Sequence, residues 1–594
     1  MNIFEDIKNG VLPDNNVIFY LYENRFIDEK NKEEIQKYIS ILNNSFETAS
    51  TEEKILLNRV LFILEMLIDE KDALKNFLYK ALRLNLHDVD DEYKLFFQQF
   101  FETKVKQDIM FELLKQRIPE LINLNKEELR SFFNWNLHLI WNWKEYHNHE
   151  KFRSFYDNLK KLILDLRDKN RIDEMMYVEF FTYHIMGNGF HTIDEWREFN
   201  ENVTKQTIKA YNQFIPSLSK PKNTKKSKRK IAFIKDRIVF NSPYQVEYSL
   251  FKNLMQNEEF TKNYELIVYT FNQFEKSNDD EKLIADLENI GIKVRRVVDY
   301  FQKDGYYNNH LDKALTLREN LINDEIDIMI AGGVFPILNF LYVTRTAPLQ
   351  IYYSHGNCAF DVPNIDKRVS HFNQECQEFE WNIINVPMDE KFLVGSEGEK
   401  IVGNIIKEDY KKQFGEDVVI LGTIGRLIKI DSNEYIKTIS EIMKQNPNTI
   451  YLACGTGNEE TIKEKIKKYN VDEKRFIFTG HVKPHVYGWV IDVWCETFPL
   501  RQGHSRNEFE AKGGAIVGYK KYYTQNAIID IENLSQELNI PTPLSNNLEE
   551  FVVITNNLIK DKNLRKKTGL LYKQLREFYS QFDFNQVKKV LDCK

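Results

Sequence analysis
The chain has 594 residues, of which 42% are hydrophobic and 29% charged, and its net charge is −7. That length calls for several domains, and the acidic balance argues against general binding of nucleic acid through its phosphates. Five cysteines (Cys358, Cys376, Cys454, Cys495 and Cys593) are odd in number, widely spaced and without a Cys-x-x-Cys pair. This argues against a disulfide framework or a structural zinc and favours a reducing compartment. No run approaches the roughly 20 apolar residues of a membrane span. Met1-Asn-Ile-Phe-Glu-Asp6 lacks the basic start and apolar run of a signal peptide, so a cytoplasmic location is expected.

Residues 1–215 read as an all-helical domain. From Asp28 to Phe214 the apolar residues follow a helical period; Phe155, Leu159, Leu162, Ile163 and Leu166 fall on one face. Glu52–Leu67 is apolar enough to be a buried helix. The segment looks like stacked antiparallel helices of repeat-like character, although no 34-residue register emerges. The stretch 132–143 carries Trp135, Trp141 and Trp143, which suit a core better than a partner-binding platform. His87-Asp-Val-Asp-Asp-Glu92 reads as a solvated turn with helix-capping aspartates. His147 and His149 lie two apart, on different faces of a helix, and read as surface residues.

Residues 216–229 hold prolines, serines and a run of lysines, an exposed basic linker. Strands then alternate with helices. Expected strands are Ile231–Ile234, Leu266–Phe271, Val294–Val298, Ile326–Ala331, Leu349–Tyr353 and Ile383–Val386, with helices Val246–Met255, Glu281–Asn289, Asn309–Asn323 and Pro336–Thr344 between them. Such alternation gives a doubly wound parallel sheet whose ligands bind beyond the carboxyl ends of the strands. There lie Gly332-Gly333 and Ser354-His-Gly-Asn-Cys-Ala-Phe-Asp361. A second unit begins at Val418–Ile424 with Gly425-Arg-Leu-Ile-Lys429. It continues through Thr449–Cys454 with Gly455-Thr-Gly457, and Phe476–Thr479 with Gly480-His-Val482. Strand Val493–Phe498 then leads through Pro499 and Gly503 to a helix that Ser505 is expected to cap and Gly513-Gly514 to end. A helix start above a strand end attracts anions. Arg506 would add a forked phosphate donor, and Glu508 or Glu510 a carboxylate for sugar hydroxyls. A helical tail, Leu564–Leu591, closes the chain.

In this order the loops resemble those of GT-B glycosyltransferases: Gly425-Arg426 with Lys429, Gly455-Thr-Gly457, Gly480-His481-Val482, Asp492 before a strand, then Pro499 and Glu508 five residues before Gly513. The resemblance implies an α/β fold of two Rossmann-like lobes behind the helical domain. The lobes would be 230–395 on the acceptor side and 396–575 on the donor side, with 576–594 as a closing helix. It implies that Arg426 and Lys429 bind the donor diphosphate, that the loop with His481 and Val482 holds the base, and that Glu508 binds the ribose. Gly455, Gly503, His504, Ser505 and Arg506 complete the donor set. Retaining members place a glutamate eight residues before the ribose glutamate; Leu500 stands there. The better likeness is to inverting, protein-modifying members, the O-GlcNAc transferase class and the cytoplasmic bacterial N-glycosyltransferases of adhesins. Arg345-Thr-Ala-Pro-Leu-Gln350 followed by Ser354-His-Gly356 is similar to their motif.

This likeness implies a hexosyl- or N-acetylhexosaminyl-transferase that uses a nucleotide-sugar, as a rule a UDP-sugar, and needs no metal or other cofactor. Its acceptor would be a protein: an adhesin, a flagellin or another surface protein. The expected catalytic base is His355 or Asp361, with His355 favoured because imidazole titrates near neutral pH, and with His371 behind both. Competing readings are a glycan- or lipid-linked-sugar transferase, a sugar-nucleotide epimerase on the same fold, and a non-catalytic nucleotide-sugar-binding module.

Overall fold
A computed structural model describes residues 3–11, 14–86, 88–140, 150–187, 190, 192–222, 227–273, 277–297, 310–333, 335–372, 374, 376–579 and 581–592. His87, Trp141, Trp143, His147, His149 and Cys593 lie outside the described residues. Contacts divide the chain into two compact units: Met1–Val239 with Asn263–Asn382, and Phe240–Lys262 with Ile383–Asp592.

The first unit joins a helical region to a seven-stranded sheet. Its helices start where the sequence offers caps. Ser50 forms a reciprocal box with Glu53, Asp69 and Asp90 accept from the first-turn N–H groups, and Asn125 and Thr192 do the same farther on. The expected buried helix runs Thr51–Met66 and is covered along most of its length. Two short helices, Ile3–Lys8 and Asn15–Asn24, precede the expected start at Asp28. Phe62 stacks on Phe77 at 4.3 Å, and Phe97 meets Trp135 at 4.8 Å. Trp135 is fully buried and donates Nε1–H to the Leu84 carbonyl, so the core reading holds for it.

The sheet strands are β1 (Arg229–Lys235), β2 (Tyr264–Thr270), β3 (Lys293–Arg296), β4 (Ile328–Ala331), β5 (Leu349–Ser354), β6 (Lys367–Ser370) and β7 (Trp381–Ile383), in the order β3-β2-β1-β4-β5-β6-β7. Helical region and sheet share one apolar cluster, which runs from Phe4 to Val362. A buried ion pair ties them further. Arg130 donates to Asp173 at 2.7 Å, and Asp173 accepts the His310 N–H at 2.6 Å at the start of helix His310–Asn323.

The second unit has β8 (Val419–Ile424), β9 (Thr449–Cys454), β10 (Phe476–Gly480), β11 (Val493–Cys495), β12 (Ala515–Tyr519) and β13 (Leu544–Ser545) in the order β10-β9-β8-β11-β12-β13. Its strand pairs run parallel. Helix Ser242–Gln256, capped by Asn241, groups with this unit although it follows β1 in the chain. The tail is two helices, Lys562–Tyr579 and Phe584–Leu591, where a single one is expected. The fold is therefore α/β with two parallel Rossmann-like sheets and a helical N-terminal region, as the GT-B resemblance implies. Among the described residues, no helix is long and apolar enough to cross a membrane.

Candidate active site
In the second unit the loops leaving β8, β9 and β11 are pressed together at the carboxyl ends of the strands. Gly425 and Gly455 permit this. Both have positive φ, and a Cβ on Gly455 would lie 1.8 Å from the Gly425 oxygen. A Cβ on Gly425 would strike the Gln502 amide at 2.1 Å. Gly425 N–H donates to the Cys454 carbonyl at 2.8 Å and Leu427 N–H to that of Thr456 at 3.0 Å, which locks two of the loops. Only a residue without a side chain fits at either position.

On this platform the short helical turn Leu427–Lys429 carries two expected donor-binding cations. Arg426 is exposed and Lys429 half-buried. Burial pushes the Lys429 ammonium down to about 8, and Arg426 adds to the depression while Glu496 opposes it. Among the described residues no carboxylate comes within ion-pair distance of either. A desolvated ammonium beside an exposed guanidinium is a place where an anion gains free energy by binding.

The helix above β11 differs from expectation in its cap. It runs His504–Ala511 with Gly503 at the N-cap position and no side-chain cap bond. Ser505 lies in the first turn and donates its hydroxyl to the Ile424 carbonyl at 2.5 Å, tying the helix to the end of β8. Gly513, with φ of 75°, ends the helix as expected.

Arg506 requires a correction. Its Nε lies 2.7 Å from Glu496 and its Nη2 2.8 Å from Glu510, and the side chain is only 13% exposed. Burial opposes its charge, but Glu510 and Glu496 more than offset that, so its affinity for the proton rises. Arg506 is held inside the protein and is not offered to a phosphate. Glu510 is excluded as a sugar ligand for the same reason.

The sequence reading did not single out Glu496. It is buried at the end of β11, accepts the Gln502 N–H at 3.1 Å and holds Arg506. The available signal was an acidic residue closing the apolar run Val493–Cys495, where a charge survives burial only with partners.

Glu508 is buried as well, but its carboxylate is less fully engaged. Its Oε1 lies 3.4 Å from His504 Nε2 and 3.9 Å from His485 Nε2, while its Oε2 is buried with no hydrogen-bond partner among the described residues. Burial pushes the carboxyl up to about 7, with Lys512 and Arg576 pulling the other way. Burial likewise drives His504 down to about 4, with Arg576, His485 and Lys512 adding to it. His504 is thus neutral near pH 7 and can share a hydrogen bond. After β10, His481 is exposed, but the Val482 side chain is packed into the core with Ile424, Cys454 and Trp494. Val482 can meet a ligand only through its backbone.

In the first unit His355 follows β5 and is half-exposed. Its ring rests over Gly332, where a Cβ would come within 2.9 Å of Cδ2. It packs against Tyr353 at 4.6 Å and His371 at 5.6 Å between centroids. Asp361 does not join this group. Its carboxylate takes Arg368 at 3.0 Å and Lys205 at 3.2 Å, and its N–H donates to Asn200 Oδ1 at 3.3 Å. It lines a separate cavity of about 450 Å³ with Lys205, Lys209 and Asn212. With its carboxylate held by two cations and facing this other cavity, Asp361 is corrected from candidate base to structural ion pair.

No protein-family model matches the chain, and no curated protein does. Among solved structures it is similar to an O-GlcNAc transferase variant of Thermobaculum terrenum, at 13% identity and a TM-score of 0.48, over 95% of this chain and 97% of that one. HepE of Anabaena, in complex with UDP and glucose, matches at 14% identity and 0.41, over 61% of this chain and 98% of its own. TarM of S. aureus, in complex with fondaparinux, alpha-GlcNAc-glycerol and UDP, matches at 11% and 0.40, over 61% and 100%.

Proposed function
We propose that the chain is a GT-B glycosyltransferase that moves a sugar from a nucleotide-sugar onto a protein acceptor with inversion. The observation that carries this reading is the pairing of charges at the carboxyl ends of β8 and β11. Among the described residues the half-buried cation Lys429 has no carboxylate within ion-pair distance, and the buried carboxylate Glu508 is only partly satisfied, which matches the needs of a diphosphate and of ribose hydroxyls. In this reading Lys429 and Arg426 neutralise the departing diphosphate, so that the protein's own cations do the work a metal does elsewhere. His504 and the backbone of Gly503 and Ser505 line the phosphates, and the loop of His481 and Val482 receives the base. His355 removes the proton of the acceptor as its heteroatom attacks the anomeric carbon and the C–O bond to the diphosphate breaks. A UDP-sugar donor and a cytoplasmic site of action belong to the same proposal.

Lys429→Met tests it. Transfer is expected to fall by about 100-fold or more, because an electrostatic contact to the leaving group is lost. The same change should stabilise the ligand-free protein at pH 7. A lysine whose folded pKa lies near 8, below its unfolded value of 10.5, costs stability wherever it must stay charged. That cost fades as pH rises from about 8 to 10.5. Urea midpoints at pH 7 and pH 10 should therefore show an advantage of the variant that shrinks at the higher pH. Wild-type transfer rates in the variant would rule out the assigned role.

A further inference from the structure
The parallel pairing of β5 with β6 places Ser354 opposite Ser370. Each serine is followed by a histidine, His355 and His371, so the register itself brings the two imidazoles together at the carboxyl edge of the sheet. The loops are built alike. Gly356 N–H donates to Ser354 Oγ at 3.3 Å and Phe372 N–H to Ser370 Oγ at 3.2 Å. Gln374, itself buried, ties them together: its Nε2 donates to Ser370 Oγ at 2.6 Å, and its Oε1 accepts from Ser354 Oγ at 3.5 Å. Beside both histidines stands Tyr353, almost fully buried. Its hydroxyl lies 3.3 Å from His371 Nδ1, and its ring packs on His355. With Gly332 on one side and Tyr353 on another, the His355 ring has little freedom.

We propose that His371 is a positioning residue: through its bond to the Tyr353 hydroxyl it fixes the aromatic ring that aims His355. The inference rests on the reading of His355 as the base of a glycosyl transfer. A base must hold its nitrogen within hydrogen-bond reach of the acceptor proton, and a displacement of about 1 Å can cost on the order of 100-fold. His371 acts on kcat through that aim, without touching the donor.

The test is a mutant cycle measured as steady-state transfer and as donor binding by calorimetry. His371→Ala should lower kcat at least about tenfold, with donor affinity and Tm close to wild type. His371→Asn, whose amide can still bond the Tyr353 hydroxyl, should recover most of that loss. Tyr353→Phe keeps the ring and loses the bond, so it should also lower kcat. The double variant Tyr353→Phe/His371→Ala should fall no further than His371→Ala alone, since both remove one interaction. Full kcat in His371→Ala, no recovery in His371→Asn, or multiplying effects in the double variant would overturn the inference while leaving the glycosyltransferase reading intact. A wild-type protein that turns over no nucleotide-sugar would overturn both.

Discussion

His355→Ala is expected to lower kcat by about 10²–10⁴-fold at saturating acceptor while donor affinity stays unchanged, the usual yield of one well-placed general base. The end of β5 is where parallel sheets present ligand-binding loops, and His355 is the first residue beyond it. Its surroundings leave the imidazole half-exposed while Gly332, Tyr353 and His371 limit its motion. The other candidate base, Asp361, is engaged by Arg368 and Lys205. Asp361→Asn should therefore act on stability much more than on kcat. The check is kcat with saturating donor and acceptor, beside calorimetric donor binding. A His355→Ala variant that keeps most of its kcat would remove the base assignment.

Arg506→Met is expected to cost about 3–5 kcal/mol of folding stability, the range found when one member of a buried ion network is removed. The guanidinium lies 2.7 Å from Glu496 and 2.8 Å from Glu510; both carboxylates are buried and Arg506 is mostly so. Methionine fills much of the volume but removes the close ion pair of both carboxylates, leaving Glu496 only the more distant Arg501 at 3.9 Å. Because Glu496 also receives the Gln502 N–H, the loop that leads into helix His504–Ala511 should loosen too. Urea denaturation gives the first quantity. Neutralising the orphaned acids in Arg506→Met/Glu496→Gln/Glu510→Gln should restore part of the loss. A cost below about 1 kcal/mol would mean that the network is replaceable by packing alone.

Arg506 also shows where sequence reading succeeds and where it stops. The alternation of strands and glycine-rich turns was legible because strand and helix ends need residues with special backbone freedom: Gly425, Gly455 and Gly513 all have positive φ. Helix Glu281–Asn289 lies where its periodicity puts it. β6 was missed because Lys367-Arg-Val-Ser370 looks too polar for a central strand. The structure buries Arg368 by setting it 3.9 Å from the Phe379 ring centroid and pairing it with Asp361. That same missed strand delivers His371 next to His355, so the histidine pair could not be read from spacing. Ser505 was read as a cap because serine is a good one, but the preceding Gly503 takes that position and frees the hydroxyl to bind Ile424. Arg506 and Glu510 look like ligand-binding groups in isolation. Only the fold brings Glu496, ten residues upstream of Arg506, into their network. The shared core of helical region and first sheet was likewise invisible, since it depends on packing between residues as distant as Asp173 and His310.

The central claim is that the carboxyl ends of β8 to β11 form a nucleotide-sugar site. Calorimetric titration of UDP, GDP and their sugars into the wild type and Glu508→Ala tests it most directly. Binding of one nucleotide by the wild type, lost or weakened at least about tenfold in Glu508→Ala, is the predicted result, because the ribose hydroxyls would then be left without the carboxylate that accepts from them. Binding of none of these nucleotides to the folded wild type, or equal binding to both proteins, would contradict the assignment.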